Sequence, residues 1–218
     1  EALGAICRRH DLKLVEDAAC AIGSAVNVND AWQAIGRPYG DAAVFSFHPR
    51  KVLTTGEGGL VTTADAAVAE TLRLLRNHGA TVGAVKKDAN AAAQEAYAVL
   101  GYNFRMTDIQ AAIGRQQLER LDAILIERDA LAVGYFERLL PIAALTPIRS
   151  PGWARNNWQS YFVWLDATFD RDALMRAMAE RGVATRAGIM CAHRESPYIP
   201  AGCRHSLAHS EAAQDHGL

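Results

Sequence analysis

Gly40-Asp-Ala-Ala-Val-Phe-Ser46-Phe-His-Pro-Arg-Lys51-Val-Leu-Thr-Thr-Gly56-Glu-Gly-Gly59 sets a short apolar run beside a serine, a lysine and a cluster of glycines. Ala42–Phe45 reads as a buried strand that ends in polar residues from Ser46 onward. Working outward, residues 2–10 read as the end of a helix. Leu12-Lys-Leu-Val15 reads as a strand with Glu16-Asp17 at its carboxyl end. Gly58-Gly-Leu-Val-Thr-Thr63 reads as a third strand, and residues 65–77 as a helix capped by Asp65. This punctuation predicts an α/β sheet rather than a helical bundle. In such sheets ligands gather at the carboxyl ends of strands, where Asp17 and Ser46 both fall.

Beyond this region, residues 80–100 are polar and Ala-rich and read as a loop with a weak helix. Thr107-Asp-Ile-Gln110 is a capping-box sequence. The helix it opens carries Ile109, Ala112, Ile113, Leu118, Leu121 and Leu125 at three-to-four spacing, which predicts a buried face. A second long helix runs to about Leu140, and Pro141, Pro147 and Pro151 then break the chain. A strand at Tyr161–Leu165, a helix near 171–181 and an extended piece at Val183 predict a smaller α+β unit. The expected division is 1–122 for a large domain and 123–218 for a linking helix and part of a small one.

The 218 residues are 50% hydrophobic and 22% charged, which suits a globular protein with a sizeable core. A formal net charge of −1 leaves no basic excess to drive phosphate-backbone binding, so nucleic acid is not an expected partner. No apolar run approaches a membrane span, and the opening Glu1-Ala2-Leu3 shows no signal pattern. Four scattered cysteines, Cys7, Cys20, Cys191 and Cys203, do not make a disulfide scaffold and point to a reducing cytoplasm. Cys191-Ala-His193, Cys203-Arg-His205 and His209 suggest zinc ligands by type. Their spacing lacks the close cysteine pair of structural zinc sites, so we expect no metal there and read an irregular polar stretch.

Lys51, a few residues past a strand end, has the chemistry of a Schiff-base lysine when its amine is held neutral. Ser46 and neighbouring backbone amides are natural donors to phosphate. Alone, each has a plainer reading: a solvated lysine, a turn-capping Asp17, glycines that serve geometry. Lys51 follows Asp17 by 34 residues, enough for a return crossover to bring both strand ends to one cleft. Carboxylate, lysine and serine together match the protein groups that a pyridoxal phosphate site needs, the carboxylate keeping the pyridine nitrogen protonated.

Glu16-Asp-Ala-Ala, the stretch Gly40–Lys51, Thr55-Gly-Glu-Gly-Gly59, Arg76-Asn-His-Gly79 and Gly101–Gly114 (Gly-Tyr-Asn-Phe-Arg-Met-Thr-Asp-Ile-Gln-Ala-Ala-Ile-Gly) resemble the DegT/DnrJ/EryC1/StrS sugar aminotransferases. Trp158-Gln-Ser-Tyr161 and Arg186-x-Gly188-x-x-x-x-His193 echo the C-terminal domain of that family. The resemblance implies an α/β fold of the type I pyridoxal phosphate enzymes, with a mixed-sheet large domain, incomplete here, followed by a smaller α+β C-terminal domain. It implies that Lys51 forms the Schiff base and then serves as acid–base, that Asp17 pairs with the pyridinium nitrogen, and that Ser46 holds the phosphate. Asn103 and Arg105 are implied to reach the phosphate site of a neighbouring subunit in a homodimer. Arg186 and His193 are implied to line the substrate entrance.

Two positions depart from the family pattern. Cys20 stands where many relatives carry Gln or His, against the expected place of the cofactor ring, and a thiol is a weak donor. Phe104 replaces a usual Tyr. The family's chain also begins well upstream and runs past Gln214-Asp-His-Gly-Leu218, so the sequence is read as a fragment. The expected activity is transfer of an amino group, with glutamate as donor, to a nucleotide-linked keto-sugar in the cytoplasm. The alternatives are a sugar dehydratase of the same fold, against which Lys51 argues because those relatives carry His there; a catalytically incomplete or regulatory fragment; and a zinc-stabilised interaction domain.

Overall fold

The computed structural model describes residues 2–81, 96–199 and 205–218. The chain forms two compact units, Glu1–Ile126 with Gly152–Gln159, and Glu127–Pro151 with Ser160–Leu218. The 80–100 connection and Cys203 fall wholly or mostly outside the described residues.

The first unit opens with α1 (Ala2–Arg9) and β1 (Val15–Asp17), followed by β2 (Ala25–Val28), β3 (Ala31–Ala34), β4 (Ala42–Ser46) and β5 (Gly59–Thr62). β1 is three residues later than the sequence predicts, for a local reason. The Leu14 N–H is taken by the Asp41 carboxylate at 2.8 Å, and Asp41 N–H returns to Leu14 O, so ladder pairing starts only at Val15. β1 runs parallel to β4 in the register Val15↔Ala42, Glu16↔Ala43, Asp17↔Val44. β4 in turn pairs antiparallel with β5, giving a mixed sheet in the order β1-β4-β5. Beneath the sheet ends Ala18, Ala43, Phe45, Phe47 and Leu53 form the buried core.

β2 and β3 form a hairpin that the sequence reading passes over. Asn29 and Asp30 both adopt positive φ, the requirement of a two-residue turn matched to strand twist. Later in the chain β9 (Ala154–Arg155) joins the free side of β2. Asp65 caps α2 (Ala66–Leu75) as expected, accepting from Ala67 N and Val68 N. β6 (Ala80–Thr81) pairs with β7 (Ala96–Tyr97). Thr107 and Gln110 form the expected capping box at the start of α3 (Asp108–Glu119), which is followed by α4 (Leu121–Leu139).

The face of α3 predicted to be buried is not. Ile109 is 76% exposed, Leu118 51% and Ile113 45%. The helix instead packs through Gly114, close to Thr55, and through Gln110 Nε2, which donates to Glu57 O at 3.0 Å. Absence of a side chain at Gly114 allows that approach and leaves the isoleucine stripe outward.

In the second unit β8 (Leu145–Pro147) pairs antiparallel with β10 (Val163–Leu165). Asp170 caps α5 (Arg171–Glu180), accepting from Ala173 N. Of the Cys/His stretch read from sequence as irregular, Ala192–Arg194 form a single 3-10 turn and His209 lies on α6 (Ala208–His216). Polar side chains of α6 pair with residues of the 3-10 turn. Arg194 bonds Asp215 at 2.6 Å, and the His193 ring lies 2.8 Å from Glu211 Oε1. After α6 the chain pairs with β10, through Val163 N to Leu218 O and back.

Candidate active site

Parallel pairing of β1 with β4 places Asp17 and Ser46 at the carboxyl ends of adjacent strands, Ser46 two residues past Asp17's partner Val44. Ala18 N–H continues the ladder to Val44 O at 2.9 Å, which turns the chain sharply over the buried Ala18. The exposed Asp17 carboxylate accepts from Ala19 N at 3.0 Å, an Asx turn that fixes its direction and leaves its second oxygen open. Cys20 follows on this turn with its thiol exposed.

Lys51 sits on the turn after β4, closed by Lys51 N–H to His48 O. Its Nζ donates to Cys20 Sγ at 2.9 Å, so the two turns meet through an amine and a thiol. Ser46 Oγ accepts only a long contact from His48 N, at 3.4 Å, which leaves the hydroxyl proton available. Thr55 N–H bonds Phe47 O and Phe47 N–H bonds Gly58 O, tying the glycine run beneath the site. A Cβ on Gly58 would stand 2.6 Å from Thr55 Oγ1, so glycine is required by close approach.

Asn103 and Arg105 belong to a separate strap. Asn103 bridges to Asn77, Phe104 N–H reaches Arg76 O, and His78 N–H reaches Tyr102 O, so the strap is laced to the end of α2. The Arg105 guanidinium bonds Asn77 Oδ1 and stands 3.4 Å from His78 Nε2. Phe104, exposed, stacks on Tyr102 at 4.9 Å between ring centroids.

Arg186 and His193 lie in the second unit. Arg186 helps line a cavity of about 930 Å³ with Tyr135, Phe162, Leu174 and Met178. His193 is engaged by Glu211, whose carboxylate also faces Arg194 at 3.6 Å. The Asp215 carboxyl is held below its ordinary value, chiefly by the hydrogen bond from Arg194. Among the described residues no three His, Cys, Asp or Glu side chains gather as metal ligands.

Two residues that sequence reasoning missed stand behind the site. Asn157, 2% exposed, donates from Nδ2 to Cys20 O and Ile22 O. Gln159 accepts from Val52 N and donates to Arg50 O, on either side of Lys51. The motif Trp158-Gln-Ser-Tyr161 marks their neighbourhood, but no local pattern reveals a partner more than a hundred residues away.

The mixed α/β architecture matches that of the pyridoxal-phosphate-dependent aminotransferases. The model of the DegT/DnrJ/EryC1/StrS aminotransferase family matches residues 1–218, and the chain belongs to that family. Its aminotransferases use pyridoxal phosphate. Among solved structures the chain is similar to the aminotransferase TlmJ from Streptoalloteichus hindustanus, at 30% identity and a TM-score of 0.83, over 99% of this chain and 54% of that one. It is equally similar to DesV from S. venezuelae, solved with a ketimine intermediate: 30% identity, TM-score 0.83, 99% and 54% coverage. PseC of Helicobacter pylori, an aminotransferase of pseudoaminic acid biosynthesis, shares the fold at 24% identity and a TM-score of 0.86, over 99% of this chain and 56% of that one. The chain thus spans about half the length of the solved relatives it matches.

Proposed function

We propose that this chain carries the lysine-bearing part of an aminotransferase that moves an amino group from glutamate to a nucleotide-linked keto-sugar, with pyridoxal phosphate as cofactor. The observation that carries the reading is the meeting of Asp17, Cys20, Ser46 and Lys51 at the carboxyl ends of β1 and β4. The donor set fits the group: an amine, an open carboxylate oxygen and a hydroxyl with its proton free. When bound, the cofactor supplies an electron-withdrawing ring that makes a neighbouring carbon acidic. Lys51 Nζ would be the attachment point and would carry the proton between carbons. The Asp17 carboxylate keeps a proton on the ring nitrogen. Ser46 Oγ donates to a phosphate oxygen. Cys20 Sγ, which accepts from Lys51 Nζ, would stand close to the bound group.

In this reading Asn103 and Arg105 serve the phosphate site of the second subunit of a homodimer. Their strap carries exposed Tyr102 and Phe104 beside exposed Ile109 and Ile113, apolar surface of the kind that partners cover. Arg186, exposed at its cavity, is the better candidate for the substrate entrance, because the His193 ring is committed to Glu211. Cys7, Cys20 and Cys191 are free thiols, which supports a cytoplasmic setting. No described helix is long and apolar enough to cross a membrane.

The test is Lys51→Ala in the full-length enzyme, assayed with glutamate and keto-sugar nucleotides. Amine transfer should vanish, and borohydride reduction of the unaltered protein with pyridoxal phosphate should label Lys51. Surviving turnover in the variant would sink the assignment.

A further inference from the structure

We propose that Asn157 and Gln159 form a two-amide clamp in which Gln159 positions Lys51 and Asn157 positions the Cys20 turn. The role of Lys51 rests on the reading above; the clamp itself does not. Each amide spans residues i and i+2 of a site-bearing turn. Gln159 Oε1 accepts from Val52 N at 2.9 Å and its Nε2 donates to Arg50 O at 2.6 Å, so Lys51 is the apex between two anchored peptides. Asn157 Nδ2 donates to Cys20 O at 2.9 Å and Ile22 O at 2.8 Å, anchoring the opposite turn in the same way.

The two amides are themselves joined. Gln159 N–H donates to Asn157 Oδ1 at 3.0 Å, and Asn157 N–H donates to Ser24 Oγ at 3.1 Å. Asn157 thereby uses its side-chain oxygen, both side-chain donor bonds and its backbone N–H. Between them Trp158 has φ +50, a conformation that a bulky residue adopts only where its surroundings enforce it. With one amide on each turn, the 2.9 Å approach of Lys51 Nζ to Cys20 Sγ is fixed from behind by a segment that carries no reactive group. A carboxamide suits this task because it offers donor and acceptor at fixed separation and carries no charge to disturb the amine.

The experiment uses the full-length protein without substrate and reads two quantities. Amide exchange of Val52 is compared with that of Phe47, whose N–H goes to Gly58 O and is independent of the clamp. Capture of pyridoxal phosphate at Lys51 by borohydride is measured against exposed Lys13 by mass spectrometry. Gln159→Met keeps the volume and removes both bonds. It should speed Val52 exchange by roughly tenfold, leave Phe47 unchanged and cut the Lys51-to-Lys13 capture ratio by roughly tenfold. Gln159→Glu retains the acceptor for Val52 and sets a carboxylate against Arg50 O. It should restore Val52 protection while capture stays low, a split that a merely structural role would not give, and it carries the test if Gln159→Met does not fold. Unchanged Val52 exchange in Gln159→Met overturns the clamp. Faster exchange with undiminished capture overturns the positioning role alone. No capture at Lys51 in the unaltered protein overturns the function assigned to that lysine, and its positioning with it, while Val52 exchange still decides whether the clamp exists.

Discussion

Lys51 Nζ donates to Cys20 Sγ at 2.9 Å, so the amine of one turn is held by the thiol of the other. Thiols react as exposure and thiolate character allow. Cys20 is exposed and should be alkylated by iodoacetamide in the free protein, whereas Cys191, buried and bonded to Ser210 O, should not. Once pyridoxal phosphate is fixed on Lys51 by borohydride, Cys20 should label several-fold more slowly. Equal labelling before and after fixation would place the thiol away from the cofactor.

Asn157→Leu removes the partners of two backbone carbonyls and of Gln159 N–H from a position 2% exposed. Unsatisfied buried groups cost about 1–3 kcal/mol each, partly recovered by water, so a loss of roughly 2–4 kcal/mol is expected. The urea midpoint of the first unfolding transition reads it directly. A loss inside the experimental scatter would mean that those carbonyls find other donors.

The Asp41 carboxyl is held below its ordinary value of 3.8, first by the Leu14 N–H and next by Lys13. A carboxylate depressed in the folded state stabilises above its unfolded pKa, and that contribution is lost as pH falls through the folded value. Asp41→Asn should therefore lower the melting temperature at neutral pH, and the gap should close as pH drops below 3.8. A gap that stays constant into acid would assign the effect to packing instead.

Gly79 has φ +71, and a Cβ there would collide with Val99 O. Its N–H closes α2 onto Leu74 O, and the strap bearing Asn103 and Arg105 crosses beside it. Gly79→Ala should cost roughly 3 kcal/mol or more, from strain and from displaced backbone. Amide exchange at His78 and Phe104 should accelerate before the β4 ladder responds. Protection unchanged at both amides would show that the strap tolerates the shift.

Much of this fold was legible because it is local. Asp65, Thr107 and Gln110 announce helix starts through bonds within three residues, and Ala42–Phe45 is apolar enough to declare itself a buried strand. Asp17, Ser46 and Lys51 could be placed because strand ends follow from those elements. Three features were not legible. Asn29-Asp30 forms a hairpin turn without the glycine that usually marks one. The stripe of Ile109 and Ile113 has helical period whichever side faces the core, and Gly114 decides the side through a contact with Thr55. Asn157 and Gln159 look like any polar pair, since their partners lie 107 to 137 residues earlier.

That separation has a consequence for the order of events during synthesis. Chains are synthesised at roughly 5–20 residues per second, and folding generally begins at the amino end as they emerge. The turns of Cys20 and Lys51 are made early, yet their anchors arrive more than a hundred residues afterwards, once α4 has been completed. Until Gln159 emerges, the nascent chain holds Lys51 on a turn without its distant anchor, so fixing the Lys51–Cys20 pair becomes a late, long-range closure rather than an early local one.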